Sequence, residues 1–461
     1  MSKFINRVDE MNILNNEYSR DGASFVVIYG RRRVGKTTLI NHFCEDKNAL
    51  YFLATEESEK ENRNALKELV SQKYSNKLLA SASLDSWTPI FKIIAEESQK
   101  GRIILVIDEF QYLCKANKSF ASVMQKAWDE ILSKADIMLI LCGSLINMMT
   151  SQVLNYASPL YGRRTAQIKL KQISFSQYHE FDEAFSIDEQ IRHYAVTGGV
   201  PKYIELFSKK KDVFVSIKEN ILSSGSFLYA EPEFLLQKEV SEIGSYFSVL
   251  KTIASGNRKL GNIAGALGVS QSNLTTYLKT LIDLDILERE VPITEEKPEK
   301  SKMGLYRIKD NFLTFWFKFV YPNRGLLESG QTKYVEEKIK KHFIDGHVAY
   351  VYEDICREAV WNLLSDSLSF NRVGRWWGSK DVEIDIVAYD SMGTDILFGE
   401  CKYSNLKKGF NVLNDLQQKA LAVNWNRDSR RESYVIYSKI GFTDELLEYA
   451  DQHDNIYLKQ L

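Results

Sequence analysis

The chain has 461 residues, longer than one hydrophobic core sustains, so two or three domains are expected. Hydrophobic residues make up 44% and charged residues 26%, with 7 prolines, which excludes long disorder. A net charge of −1 excludes a globally basic nucleic-acid binder and leaves only local patches for that role.

The opening MSKFINRVDEMNIL is polar and carries acidic residues, unlike a signal peptide. No apolar run approaches the ~18 residues that span a bilayer; LTFWFKFVYP comes nearest and Lys318 interrupts it. Cys44, Cys114, Cys142, Cys356 and Cys401 lack paired spacing, which argues against zinc or disulfide frameworks. A reducing, cytoplasmic setting without a membrane is the expectation.

SFVVIYGRRRVGKTTLINHF reads as a buried strand, a glycine-bounded loop and a helix start. Gly30, Arg31, Arg32, Arg33, Val34, Gly35, Lys36, Thr37 and Thr38 match a phosphate-binding loop in its required strand-to-helix context. Its glycines let backbone N–H groups close on phosphates at a helix N-terminus, whose dipole favours anions. Lys36 would reach the β- and γ-phosphates of ATP, and the Thr37 hydroxyl would ligate Mg²⁺. The plainer alternative is a glycine turn between a strand and a helix.

GRIILVIDEFQYL and ADIMLILCGSLINMM are two further apolar strands, each followed by a helical pattern. Strands alternating with helices predict a parallel sheet covered on both faces. Asp108 and Glu109 close the first of these strands, at the carboxyl edge where ligands bind. Asp108 would hold Mg²⁺ through water and Glu109 would polarise the attacking water, unless the pair only caps a helix. Ser144 closes the other strand, where a polar group could sense the γ-phosphate.

Past about Thr165 the strand signal fades, and helical periodicity dominates from Ser174 to about Leu250. Residues 246–310 read as a helix, a turn, two short helices and a charged hairpin over 288–308, tipped by EEKPEKSK. That is the order of a winged helix. Its second short helix would offer Gln271, Ser272, Asn273, Thr275, Thr276 and Lys279 to DNA. Ten Lys and Arg against eight Asp and Glu over 251–310 give that region only +2, so a lid-packing or dimerising module is the alternative. Aromatic FLTFWFKFVYP is predicted to be packing material.

Residues 4–290 resemble the archaeal-type ATPase branch of the AAA+/STAND P-loop superfamily. The resemblance rests on FINRVDEMNIL, YGRRRVGKT, LVIDEFQYL, LILCGS, SPLYGRRT and TGGVPKYI. It implies adenine contacts near Asn6, Arg7 and Pro201, and an arginine finger at Arg163 or Arg164. A finger acting across subunits implies a homo-oligomer. Read as residues alone, the two arginines could equally be a solvated or salt-bridged pair.

The last stretch, EIDIVAYDSMGTDILFGECKYS, predicts a hairpin turning at Met392-Gly393. Paired residue numbers then sum to 785, so Asp385 faces Glu400 and Glu383 faces Lys402 on one patch of sheet. Opposed carboxylates repel at Cβ separations of roughly 5 Å, and a divalent cation would offset that repulsion. The constellation resembles the PD-(D/E)xK nuclease fold, with Ile384 standing where the name has proline. The region after Asp345 also resembles the uncharacterised C-terminal domain fused to this ATPase class.

That resemblance implies a Mg²⁺ or Mn²⁺ site of Glu353, Asp385 and Glu400, with the Cys401 carbonyl as a further ligand. It casts Lys402 as the group acting on water, helped by Gln417, Gln418 or Lys419. The alternative is a metal-free relic that grips DNA. The fold class expected is α/β: an ATPase core over 1–165, a helical lid over 166–245 and a winged helix over 246–310. A packing segment over 311–344 and a restriction-endonuclease-like domain over 345–461 complete it. DNA is the expected macromolecular partner. The alternative is a nucleotide-dependent regulatory switch whose rear domains bind a protein or DNA without cleaving it, the protein partner not being specified.

Overall fold

The computed structural model describes residues 4–208, 212–365, 368–378 and 382–461. The chain divides into two compact units. The first takes everything up to Ile173 together with Gly199–Lys202 and Leu235–Ser241. The second takes Ser174–Gly198, Tyr203–Phe234 and Glu242–Leu461.

The first unit is built on five parallel strands, β1 (Ser24–Tyr29), β2 (Ala49–Leu53), β3 (Ile103–Asp108), β4 (Ile137–Gly143) and β5 (Ala166–Lys169). Their order is β2-β3-β4-β1-β5. Strand periodicity sends Phe25, Val27, Leu105 and Leu139 into one core, and Val26, Ile28, Ile104 and Met138 into another. Both faces are therefore covered, which is why β1, β3 and β4 read as unbroken apolar runs. The two outer strands were not anticipated. In β5 only Ile168 is buried, and β2 alternates, so neither carries an unbroken apolar signal. Because β1 lies beside β4 rather than β2, the segments after β1, β3 and β4 open together at the carboxyl edge.

In the second unit the helices Ile243–Ala254, Leu260–Leu267 and Gln271–Asp283 precede a two-stranded antiparallel hairpin, β6 (Leu287–Glu290) and β7 (Leu305–Ile308). The aromatic stretch is packing material: Phe312, Phe315, Trp316, Phe317 and Phe319 are buried, and Phe247 sets its ring edge-on to Trp316 and Phe317.

A second sheet follows, with β8 (Arg372–Trp377), β9 (Glu383–Tyr389), β10 (Asp395–Lys402), β11 (Arg431–Ser438) and β12 (Ile456–Gln460) in order β12-β11-β10-β9-β8. β8, β9 and β10 run antiparallel, whereas β10, β11 and β12 run parallel. The helix Phe410–Ala420 crosses between β10 and β11 and buries Val412, Leu413 and Leu416 on the sheet. The predicted register holds over the paired stretch, from Ile396 opposite Tyr389 to Gly399 opposite Ile386. The β9–β10 ladder ends at Gly399 opposite Ile386, so the expected facings of Asp385 with Glu400 and of Glu383 with Lys402 lie beyond the paired stretch. On its other side Glu383 pairs with Trp377 of β8, across an irregularity between Gly374 and Trp376.

Candidate functional site

The loop after β1 owes its shape to a few backbone positions. A Cβ on Gly30 would sit 2.4 Å from the Leu170 carbonyl oxygen, so only glycine fits that approach. Arg33 and Gly35 take positive φ of 69° and 95°, and Gly35 caps the helix Lys36–Cys44 with no side-chain acceptor on its first N–H groups. Those donors are the ones an anion meets at a helix start. Lys36 is buried and donates to the carbonyls of Gly30 and Arg31, both at 2.9 Å. Burial pushes its ammonium pKa down, while the Glu109 and Asp108 carboxylates oppose that shift.

Thr37 Oγ1 donates to Asp108 Oδ2 at 3.2 Å, so the two expected magnesium ligands stand together. Thr38, next along the helix, is exposed. Tyr51 on β2 donates its phenol proton to the same Asp108 oxygen, a contact not foreseen because β2 was not foreseen. Asp108 also accepts the Glu109 N–H, at 2.8 Å.

Glu109 stands at φ 55°, rare for a residue with a side chain, and Ser144 Oγ donates to its carboxylate at 2.7 Å. Gln111, fully buried, donates to the same carboxylate oxygen, and its own Oε1 has no partner. Ser144 and Gln111 thus hold the one carboxylate that faces the loop from β3 besides Asp108. Gln111 follows the acidic pair directly in the sequence, and that spacing was its only available signal.

Arg7 braces the loop. Its guanidinium donates to the carbonyls of Val34 (2.9 Å) and Lys171 (2.8 Å) and meets Glu10 at 3.2 Å. Asn6 and Arg7 both adopt positive φ, and Pro201 lies 3.9 Å from where a Gly35 Cβ would stand. Arg32 donates to the Tyr112 hydroxyl at 3.0 Å. The two candidate finger residues separate. Arg163 grips Asp129 at 2.8 and 2.7 Å, and that hydrogen bonding raises its pKa. Among the described residues Arg164 has no carboxylate partner; it lies over the Tyr161 ring, with Nη1 buried and unpartnered.

The second centre is arranged differently from expectation. Glu400 is buried and accepts from Lys402 at 2.6 Å and from Lys419 at 3.0 Å through both oxygens. Lys419 is therefore singled out from Gln417 and Gln418. Asp385 Oδ2 accepts the Cys401 N–H at 2.9 Å, and Arg375 stands 3.7 Å from Glu353. Burial, then the Asp385 charge, push Glu353 up to about 8. Burial and Glu400 raise Asp385, against the Cys401 N–H and Lys402. Burial works against the Lys402 charge, yet Glu400 and Asp385 more than offset it and raise its pKa.

Among the described residues no group of three or more His, Cys, Asp or Glu could hold a metal ion. Glu353 feels the charge of Asp385, and Asp385 that of Glu400. Lysines, an arginine and a backbone N–H take the oxygens that a cation would need. The expected metal site of Glu353, Asp385 and Glu400 gains no support from this arrangement. Glu383 lies apart from it, 3.5 Å from Arg375.

Comparison with known proteins matches these regions. Residues 4–207 match the family described as an ATPase domain predominantly from Archaea, and residues 316–411 match a family of archaeal and bacterial proteins of unknown function. An uncharacterized protein of Methanocaldococcus jannaschii is 34% identical over 443 residues, 95% of each chain. An uncharacterized ATP-binding protein of the same organism is 46% identical over 44 residues, 10% of this chain and 75% of that one. Among solved structures, a Walker-type ATPase of Pyrococcus abyssi aligns with a TM-score of 0.52 at 19% identity, covering 68% of this chain and 96% of that chain.

Proposed function

The chain belongs to the same family as the Methanocaldococcus jannaschii protein that matches it almost end to end, and from that premise we propose that it hydrolyses ATP and couples nucleotide state to DNA binding by its second unit. The observation that carries the ATP reading is the contact of Thr37 with Asp108 beside the buried Lys36. A hydroxyl and a carboxylate oxygen 3.2 Å apart are hard donors that suit magnesium alongside phosphate oxygens. Bound there, the ion would neutralise charge gathering on those oxygens.

The chain's own groups divide the rest. Loop N–H groups and Lys36 bind phosphate, Glu109 orients the attacking water, and Ser144 and Gln111 fix Glu109 in place. Arg7, with Asn6 and Pro201, supports the loop on the side assigned to adenine. Arg164 is the better finger candidate, because Arg163 is committed to Asp129. If Arg164 acts across subunits, the working form is a homo-oligomer.

The winged-helix reading of residues 246–310 is supported by three helices followed by the β6–β7 hairpin. On the helix Gln271–Asp283, Leu274, Leu278 and Leu281 turn inward, while Gln271, Ser272, Asn273, Thr275, Thr276 and Lys279 are exposed. These are groups that bond to base edges and phosphates. Among the described residues no helix is long and apolar enough to cross a membrane. All five cysteines are free, in keeping with the cytoplasmic setting proposed here.

DNA cleavage is not part of this reading, because the acids of the second centre are committed to other partners. The test is fluorescence anisotropy with a labelled duplex, with and without ATP. Affinity should fall with salt, and Lys279→Ala should reduce the salt slope by about one unit. Nucleotide-independent failure to bind any duplex would leave the ATPase standing and remove the DNA part.

A further inference from the structure

At the root of the β6–β7 hairpin lies a cavity of about 410 Å³. It is bounded by the end of the helix Ile243–Ala254, by the aromatic segment and by the helix Ala349–Ala359. The volume suits a small molecule. Arg258, Arg307, Arg375 and Lys318 all line it, facing two acids, Glu353 and Asp354.

These cations are not equally spent. Arg307 pairs with Glu288, Glu290 and Asp354. Arg375 reaches Glu290, Glu353 and Glu383 only at 3.5–3.7 Å. Arg258 meets Glu290 at 3.0 Å, but its Nε is buried with no partner. Burial lowers the Arg258 pKa, and repulsion from Arg375 and Arg307 adds to the shift. Lys318 is half-buried and bonds only to the Gly346 carbonyl; among the described residues it has no carboxylate partner.

The other walls do not cancel that charge. Asp354 is bound by Arg307 and Arg357. Glu353 stands 3.7 Å from Arg375. His347 donates Nε2–H to the Ala195 carbonyl at 2.6 Å and is pushed down to about 4 by burial, so it is neutral.

An ammonium without an anion and an unused guanidinium N–H in one cavity are costly unless a ligand answers them. Several donors with few free acceptors favour a phosphoryl group, which offers three oxygens, over a single carboxylate. Ile253, Ile308 and Val351 supply apolar wall for an uncharged body. We propose that this cavity binds a phosphate-bearing small molecule of mononucleotide size, with its phosphoryl group on Lys318 and Arg258.

The test uses the full chain carrying Lys36→Ala, with AMP as the probe, because AMP lacks the β- and γ-phosphates that the loop lysine serves. Calorimetry should find one AMP site. Adding Lys318→Gln or Arg258→Gln should weaken it at least about tenfold, a loss of roughly 1.4 kcal/mol. Lys318→Arg should restore much of the affinity, which a folding defect would not allow. Melting temperatures of the variants check that they fold. Inorganic phosphate should compete, and adenosine should not bind. Absence of AMP binding, unchanged affinity in both glutamine variants, or adenosine binding as well as AMP would each overturn the proposal. So would a 5′-phosphorylated oligonucleotide that binds where AMP does not.

Discussion

Ser144 Oγ donates a 2.7 Å hydrogen bond to the Glu109 carboxylate, joining the ends of two neighbouring parallel strands beside the phosphate-binding loop. Gln111 donates to the same oxygen, and the backbone of Glu109 holds a positive φ. A carboxylate that orients water gains from being held in one place. Ser144→Ala and Gln111→Leu should therefore each lower kcat for ATP by about tenfold to a hundredfold, with KM nearly unchanged. A rise in KM at constant kcat would assign both residues to nucleotide binding instead.

The adjacent arginines should part in function. Arg163 spends its guanidinium on Asp129 at the surface, so Arg163→Ala should cost about 0.5–1 kcal/mol of stability and leave turnover nearly intact. Arg164→Ala should leave the melting temperature in place and lower turnover by about 10³-fold. Mixing Lys36→Ala with Arg164→Ala protein should restore part of the activity if the arginine serves a neighbouring subunit. The reverse pattern, with Arg163→Ala inactive, would move the finger to Arg163.

Glu353 gives the second unit a pH signature. Its folded pKa, near 8, lies above its unfolded value of 4.5, so the folded state holds the extra proton. The stability this provides is full below pH 4.5 and is lost as pH rises through about 8. Glu353→Gln, which is always neutral, should flatten the fall in denaturant stability across that window. An unchanged slope would mean that other groups set it.

Much of the first site was legible because its parts are local. A glycine loop with Lys36 and Thr37 follows one apolar strand directly, and Asp108 and Glu109 end another. Strands buried on both faces announce themselves as apolar runs, so their carboxyl ends could be located. Tyr51 escaped notice because its strand is short and alternating, and the partners of Glu109 depend on which strands are neighbours. At the second centre the hairpin register was legible from the turn. The fate of the charges was not: Arg375 on β8 and Lys419 on the following helix come from outside the hairpin, Arg375 standing beside Glu353 and Glu383 and Lys419 pairing with Glu400.

Those ion pairs lead to an expectation for DNA. With Mg²⁺ or Mn²⁺, and with or without ATP, plasmid and oligonucleotide substrates should be bound but remain uncut. Metal-dependent cutting that disappears in Asp385→Asn while ATP turnover persists would show that the acids regroup around a cation when DNA is present.

The most direct measurement compares ATP binding and turnover in the unmodified chain, Glu109→Gln and Lys36→Ala. Lysine meets ground-state phosphates, whereas the glutamate acts on the attacking water. Glu109→Gln should therefore retain ATP without hydrolysing it, and Lys36→Ala should lose both binding and turnover. Hydrolysis by Glu109→Gln at the unmodified rate, or tight ATP binding by Lys36→Ala, would contradict the assignment of this loop and strand edge as the ATPase centre.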